Sequence, residues 1–248
     1  MSTVGNWRGP NIVKDGLALY LDVGNPNSFY SPTAGVIWKD VSGNSNNGTL
    51  TNGPTFNSDN GGSIVFDGTN DYIITADNQT PTLNITSQIT IESWVRTTAV
   101  ANISHTDGIV SKGLSSDNNS GVYELCLYPT SNINYPFFRM RIGSSTVTNY
   151  PTNIPINLNN VYQIVGTYNG NIMRVFVNGI ESGTGVAASG DIQSNTQQLT
   201  IGVRYLNRSG GNDSFFTGNM YNIKIYNKEL TPTEILQNYN ATKGRFGL

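Results

Sequence analysis

Among the side chains of this 248-residue chain that could carry out covalent or acid–base chemistry are one histidine, His105, one cysteine, Cys126, and five glutamates, Glu92, Glu124, Glu181, Glu229 and Glu234. His105 falls in a loop-like stretch, 97–106, and reads as a surface residue. Cys126 lies in an apolar run, 123–128, and reads as a buried, inert thiol; a lone cysteine cannot form a disulfide within the chain. Glycoside hydrolysis needs two carboxyl groups flanking one sugar bond. The glutamates are scattered over distant segments, so nothing in their spacing supports such a pair, and no catalytic residue is assigned. Tyr135, Tyr150 and Tyr205 offer a different chemistry, because aromatic rings stack on sugar faces while Asn and Asp bond the hydroxyls. Their bland reading is ordinary aromatics at the edge of a β-structure.

The elements that would hold these residues are strands. Charged residues make up 12% of the chain, about half the usual globular share. Asn, Thr, Ser and Gly take their place, a composition suited to short strands and many turns rather than helices. The net charge of −2 without a basic stripe argues against nucleic acid as a partner. No apolar run approaches the roughly 20 residues that span a bilayer, so no membrane role is expected. No secretion signal is read at the N-terminus, and synthesis in a cytoplasm is the expectation.

Apolar runs at 64–66 and 72–74 flank the polar turn DGTND and read as a hairpin. In 89–96, Ile89, Ile91, Ser93 and Val95 point one way and Thr90, Glu92, Trp94 and Arg96 the other. The runs 161–168 and 172–177 form a second hairpin across Asn-Gly-Asn. The stretch 129–136 reads as a loop, and 40–49 as a turn whose oxygens suit plain turn chemistry or, alternatively, a cation site. Thr231-Pro232-Thr233-Glu234 is a helix start with a capping box, and Ile235, Leu236 and Tyr239 can cover an edge of the sheets. The expected fold is all-β: a two-sheet antiparallel sandwich, or jelly roll, with one short C-terminal helix. The divisions are an arm at 1–15, the sandwich at 16–241 and a tail at 242–248.

Five motifs in order, SGNSNNGT (42–49), SIVFDGTNDYI (63–73), TIESWVR (90–96), GTYNGNIMRVFVNG (166–179) and GNMYNIKIYNKELTPTEILQNYNA (218–241), resemble the laminin-G-like/concanavalin-A-like lectin superfamily. The opening at 9–30 and the ending at 238–248 resemble virion proteins of tailed phages. The resemblance implies glycan or protein binding and, in some branches, glycoside hydrolysis, whose Glu-x-Asp-x-x-Glu strand is absent here. It also implies a calcium ion in the loops after Lys112 and Gly202, with Asp117, Asn118, Asn207 and Asp213 as candidate ligands. Arg204, Asn and Ser replace most of that site's anionic ligands.

The function expected is a non-enzymatic virion component, decorating a capsid or forming part of a tail or fibre. Its partners would be other virion proteins or further copies of itself. Trp7, Arg8 and Pro10 would form an attachment arm. The alternative is a carbohydrate-binding module for host surface glycans, acting through Tyr135, Tyr150 and Tyr205; a glycosidase or lyase ranks third.

Overall fold

The computed structural model describes residues 10–29, 36–75, 81–101, 106–113, 122–204 and 214–248. Within them the chain runs through β1 (Leu17–Asp22), β2 (Ile37–Trp38), β3 (Gly48–Thr51), β4 (Thr55–Asn57), β5 (Ser63–Asp67) and β6 (Tyr72–Thr75). It continues through β7 (Ile89–Thr97), β8 (Asp107–Lys112), β9 (Tyr123–Thr130), β10 (Ile133–Ile142), β11 (Ser145–Asn149) and β12 (Tyr162–Tyr168). The last elements are β13 (Ile172–Val177), β14 (Ile180–Glu181), β15 (Val186–Ala187), β16 (Leu199–Ile201), β17 (Thr217–Tyr226) and the helix α1 (Pro232–Thr242).

The strands form two antiparallel sheets. The first has the order β14-β13-β12-β7-β17-β5-β4, with β1 beside β17 and β15 beside β13. The second has the order β11-β10-β9-β8-β16-β6-β3-β2. Side chains alternate between the faces of each strand, so one face of each sheet is apolar. Ile89, Ile91 and Val95 of β7 enter the core together with Leu125 and Leu127 of β9 and Phe138 and Met140 of β10. The Thr90, Glu92 and Trp94 face of β7 lies outside the main core, as the alternation of this strand predicts.

The structure corrects the reading of 64–66 and 72–74 as a hairpin. β5 pairs with β17 and β4 in the first sheet, whereas β6 pairs with β16 and β3 in the second. Ile64, Phe66 and Ile73 all belong to the core, and placing the strands in opposite layers lets both apolar faces point inward. The link 67–71 carries the chain between the sheets. Asp71 Oδ2 accepts the Asp67 N–H (3.0 Å) and Asp67 Oδ1 the Thr69 N–H (2.7 Å). Gly68, at φ +76°, supplies the left-handed backbone this corner needs. The hairpin of β12 and β13 forms as expected.

α1 has the predicted capping box, with Thr231 and Glu234 bonding each other's backbone N–H. Its buried residues are Ile235 and Asn238, while Leu236 is 45% exposed, a second departure from the sequence reading. Tyr239 stacks on the indole of Trp94 (5.6 Å between centroids), and Phe246 stacks there as well (4.7 Å). Residues 243–248, read as a tail, therefore lie against the sheet. Arg245 secures them through Asp22 (2.7 Å) and the carbonyls of Asn60 and Gly62. The arm is stitched in too: Val13 N–H donates to Asn238 Oδ1 (2.8 Å), and Tyr226 donates to the Val13 carbonyl (3.1 Å).

Candidate functional site

The outer face of the second sheet collects the aromatic and charged residues that the core leaves out. Register sets the arrangement: across β9 and β10, Tyr128 faces Tyr135, Cys126 faces Phe137 and Glu124 faces Arg139. Tyr150 follows β11 directly. The end of that strand is fixed by Asn149, whose side-chain amide donates to the Met173 carbonyl (3.1 Å). Tyr150 thus packs on Phe137 (4.6 Å between centroids) and edge-on to Tyr128 (5.5 Å). Phe137 is fully buried and Tyr150 is 53% exposed, so a rigid ring supports an open one. Tyr128 and Tyr135 are half-buried beside them. Together the four rings make an aromatic shelf.

A polar row borders the shelf. Arg204 Nε donates to Glu124 Oε2 (3.0 Å), its Nη1 donates to Thr106 Oγ1, and its guanidinium carbon lies 5.1 Å from the Phe137 ring centre. Arg139 Nε stands 3.8 Å from the same Glu124 oxygen. Gly108 of β8 makes this possible, because the Val203–Arg204 backbone runs where a side chain at that position would project. Cys126 is buried beneath; desolvation pushes its thiol up to about 12, against the opposing pull of Arg204. Its burial agrees with the apolar run in which the sequence places it. Glu124 Oε1 is buried without a hydrogen-bond partner among the described residues.

The structure brings Tyr135 and Tyr150 together on one face, where Tyr128 and Phe137 join them. Sequence reading missed these two because they sit in an alternating strand and look like core. Tyr135 lies within β10, not in a loop. β11 pairs only Phe138–Ile142 of β10, so Pro136 sits where that strand's far side lacks β11 as a partner, a position that tolerates a missing N–H. Tyr205, His105, Trp7 and Arg8 lie outside the described residues, as do Asp117, Asn118, Asn207 and Asp213; Pro10 is described and exposed. In the 40–49 turn, Asp40 accepts the N–H groups of Tyr20 (2.9 Å), Ser42 (2.8 Å) and Asn46 (2.9 Å). That engages both its oxygens in turn chemistry.

The family pattern described as the concanavalin A-like lectin/glucanases superfamily matches residues 67–236. The chain belongs to this superfamily. Among curated proteins, none matches its sequence. Among solved structures it is similar to domain 4 of AbnA, a GH43 extracellular arabinanase from Geobacillus stearothermophilus, in complex with arabinotriose. The TM-score is 0.64 at 17% identity, over 90% of this chain and 98% of that one. It is also similar to the binding domain of Paraclostridial Mosquitocidal Protein 1 (TM-score 0.67, 17% identity, 92% of this chain, 52% of that). A third similar structure is the binding domain of botulinum neurotoxin serotype G (TM-score 0.65, 16% identity, 90% of this chain, 50% of that). The chain spans about half the length of these toxin binding domains. At such identities the likeness establishes a lectin-like sandwich.

Proteins that share this fold include glycosidase-related chains and binding domains alike. Glu92 and Glu124 lie on the outer faces of different sheets. Glu92 is fully buried, bonded to Lys224 Nζ (2.8 Å) and to the Asn238 amide (2.7 Å). Glu181 and Glu229 are drawn together, but onto one guanidinium, that of Arg174 (3.3 and 3.4 Å). Glu234 is committed to the helix cap and Lys228 (2.9 Å). Each of these four carboxylates is engaged in holding the fold.

Proposed function

We propose that this chain is a non-catalytic, glycan-binding module that works through the aromatic shelf. The observation that carries this reading is the half-exposed Tyr150 ring braced on fully buried Phe137, with Tyr128 and Tyr135 alongside. Pyranose rings have an apolar face that such a shelf fits, and the phenol hydroxyls of Tyr150, Tyr128 and Tyr135 can bond sugar hydroxyls at its border. The toxin binding domains and the arabinanase domain that share the fold support the reading by analogy alone. The test is a glycan array followed by calorimetry with Tyr150→Ala and Tyr135→Ala. Loss of the wild-type signal in both variants supports the shelf; no signal on the array, or binding unchanged by both substitutions, rejects it.

In a finer reading the module is an exposed virion protein of a tailed phage, part of a capsid surface or of a tail or fibre. The resemblance of residues 9–30 and 238–248 to such proteins supports it, with Trp7, Arg8 and Pro10 as the attachment arm. Co-sedimentation with particles, with and without residues 1–13, tests the location and the arm separately. Calcium held by Asp117, Asn118, Asn207 and Asp213 belongs to the same reading, and a calcium-dependent rise in melting temperature would support it.

A further inference from the structure

The outer face of the first sheet carries a cleft of about 490 Å³ beside β1, within the 300–1,000 Å³ range of small-ligand sites. Its apolar wall is Ile12, Leu17 and Val41, and the ring of Tyr20 stands among them. Tyr20 is held from two sides. Its hydroxyl donates to Asp22 Oδ2 (2.8 Å), and the Lys224 ammonium lies 5.4 Å from the ring centre. Asp22 is in turn fixed by Arg245 (2.7 Å). The backbone around the cleft is equally set, since Asp40 holds the N–H groups of Tyr20 and Ser42. The cleft is thus preformed.

Its remaining lining groups have bonding capacity to spare. Asn25 Oδ1 accepts the Asn27 N–H (3.0 Å), which leaves the Asn25 amide N–H groups and the whole Asn27 side chain without hydrogen-bond partners among the described residues. Lys14 is exposed, and its ammonium likewise bonds none of them. Among the described residues Lys14 is the single charged one lining the cleft, so the site offers side-chain amides and one positive charge beside a fixed aromatic ring.

We infer that this cleft is a second binding site, for a sugar ring bearing a carboxylate. The apolar face of the pyranose would rest on Tyr20, Leu17 and Val41, the carboxylate would meet Lys14, and the hydroxyls would accept from Asn25 and Asn27. The shelf lies on the opposite sheet, so one chain engages a polysaccharide at two places. A second engagement becomes an intramolecular event, raising the avidity for long chains above that for short ones.

The test is titration of tetragalacturonate and of its neutral galactose counterpart into the full chain, following side-chain amide resonances of Asn25 and Asn27. The acidic oligosaccharide is expected to shift these signals, and the neutral one to bind at least tenfold more weakly at this site. Lys14→Glu and Asn27→Ala change exposed residues and keep the fold; each is expected to weaken the acidic ligand at least tenfold. Tyr150→Ala is expected to leave cleft binding unchanged, which separates this site from the shelf. Acidic-ligand binding lost in Tyr150→Ala but retained in Lys14→Glu would overturn the cleft proposal alone. Absence of any Asn25 or Asn27 shift with either sugar would overturn it as well.

Discussion

The ring of Tyr150 meets that of Phe137 with centroids 4.6 Å apart and planes at 43°. One ring is fully buried and the other 53% exposed, so the position of the accessible ring depends on the inaccessible one. Tyr150→Ala should leave stability within about 0.5 kcal/mol, as surface changes usually do, and weaken glycan binding about tenfold, a loss of about 1.4 kcal/mol. Phe137→Leu should weaken binding too while costing about 1–2 kcal/mol of stability. Calorimetry and urea unfolding of the same two variants separate these effects. Equal binding by wild type and Phe137→Leu would show that Tyr150 needs no such support.

Glu92 and Lys224 form an ion pair with both side chains fully buried. Removing one partner strands the other charge in a dry site, so Lys224→Met should cost about 3–5 kcal/mol. Combining it with Glu92→Gln removes the stranded charge, and the double variant should be more stable than the single one. Denaturant midpoints decide this; a Lys224→Met protein as stable as wild type would contradict it.

Lys112 is buried, and its ammonium donates to the carbonyls of Asn195 and Gln197. Burial lowers its pKa from 10.5 to about 8. Between these values the unfolded chain holds a proton that the folded chain has released, so stability from this group rises with pH across that window. Below about pH 8 the cost of burying the charge is fully present. From pH 7.5 to 9.5 the stability of wild type relative to Lys112→Met should rise, as urea unfolding of both proteins at each pH measures; an unchanged difference would contradict it. The Cys126 thiol, from about pH 9, and the phenols of Tyr123 and Tyr226, from about pH 10, are raised by burial and act in the opposite direction, and the comparison with Lys112→Met at each pH cancels them.

Phe246 covers one side of Trp94 and meets Tyr221 edge-on (4.8 Å). Phe246→Ala should lower stability by about 1–3 kcal/mol, below the usual cost for a fully buried ring because this one is half-buried. It should also shift Trp94 emission to longer wavelength as water reaches the indole. An unchanged spectrum would mean that the C-terminal turn does not protect this face in solution.

The legible parts of the chain were those set by neighbours in sequence. The β12–β13 hairpin and the Thr231–Glu234 cap each depend on residues a few positions apart, whose turn and capping chemistry is local. The 64–74 segment misled because the turn residues that close a hairpin also serve a corner between sheets; the choice lay with the distant strands β17 and β16. At the shelf, Tyr150 could be picked out as an aromatic with polar neighbours. Tyr128 and Phe137 could not, since an alternating strand does not say whether its second face is open, covered or functional.

The sequence by itself determined an all-β sandwich with one C-terminal helix, because composition, alternation, turns and caps act over short range. Only the tertiary structure decided that Arg204 reaches Glu124, 80 positions away, over Gly108, and that Asn238 joins Val13 to Glu92. Those contacts bury charges and amides that stay buried only when paired, and the partners come from segments that meet only once the sheets have closed.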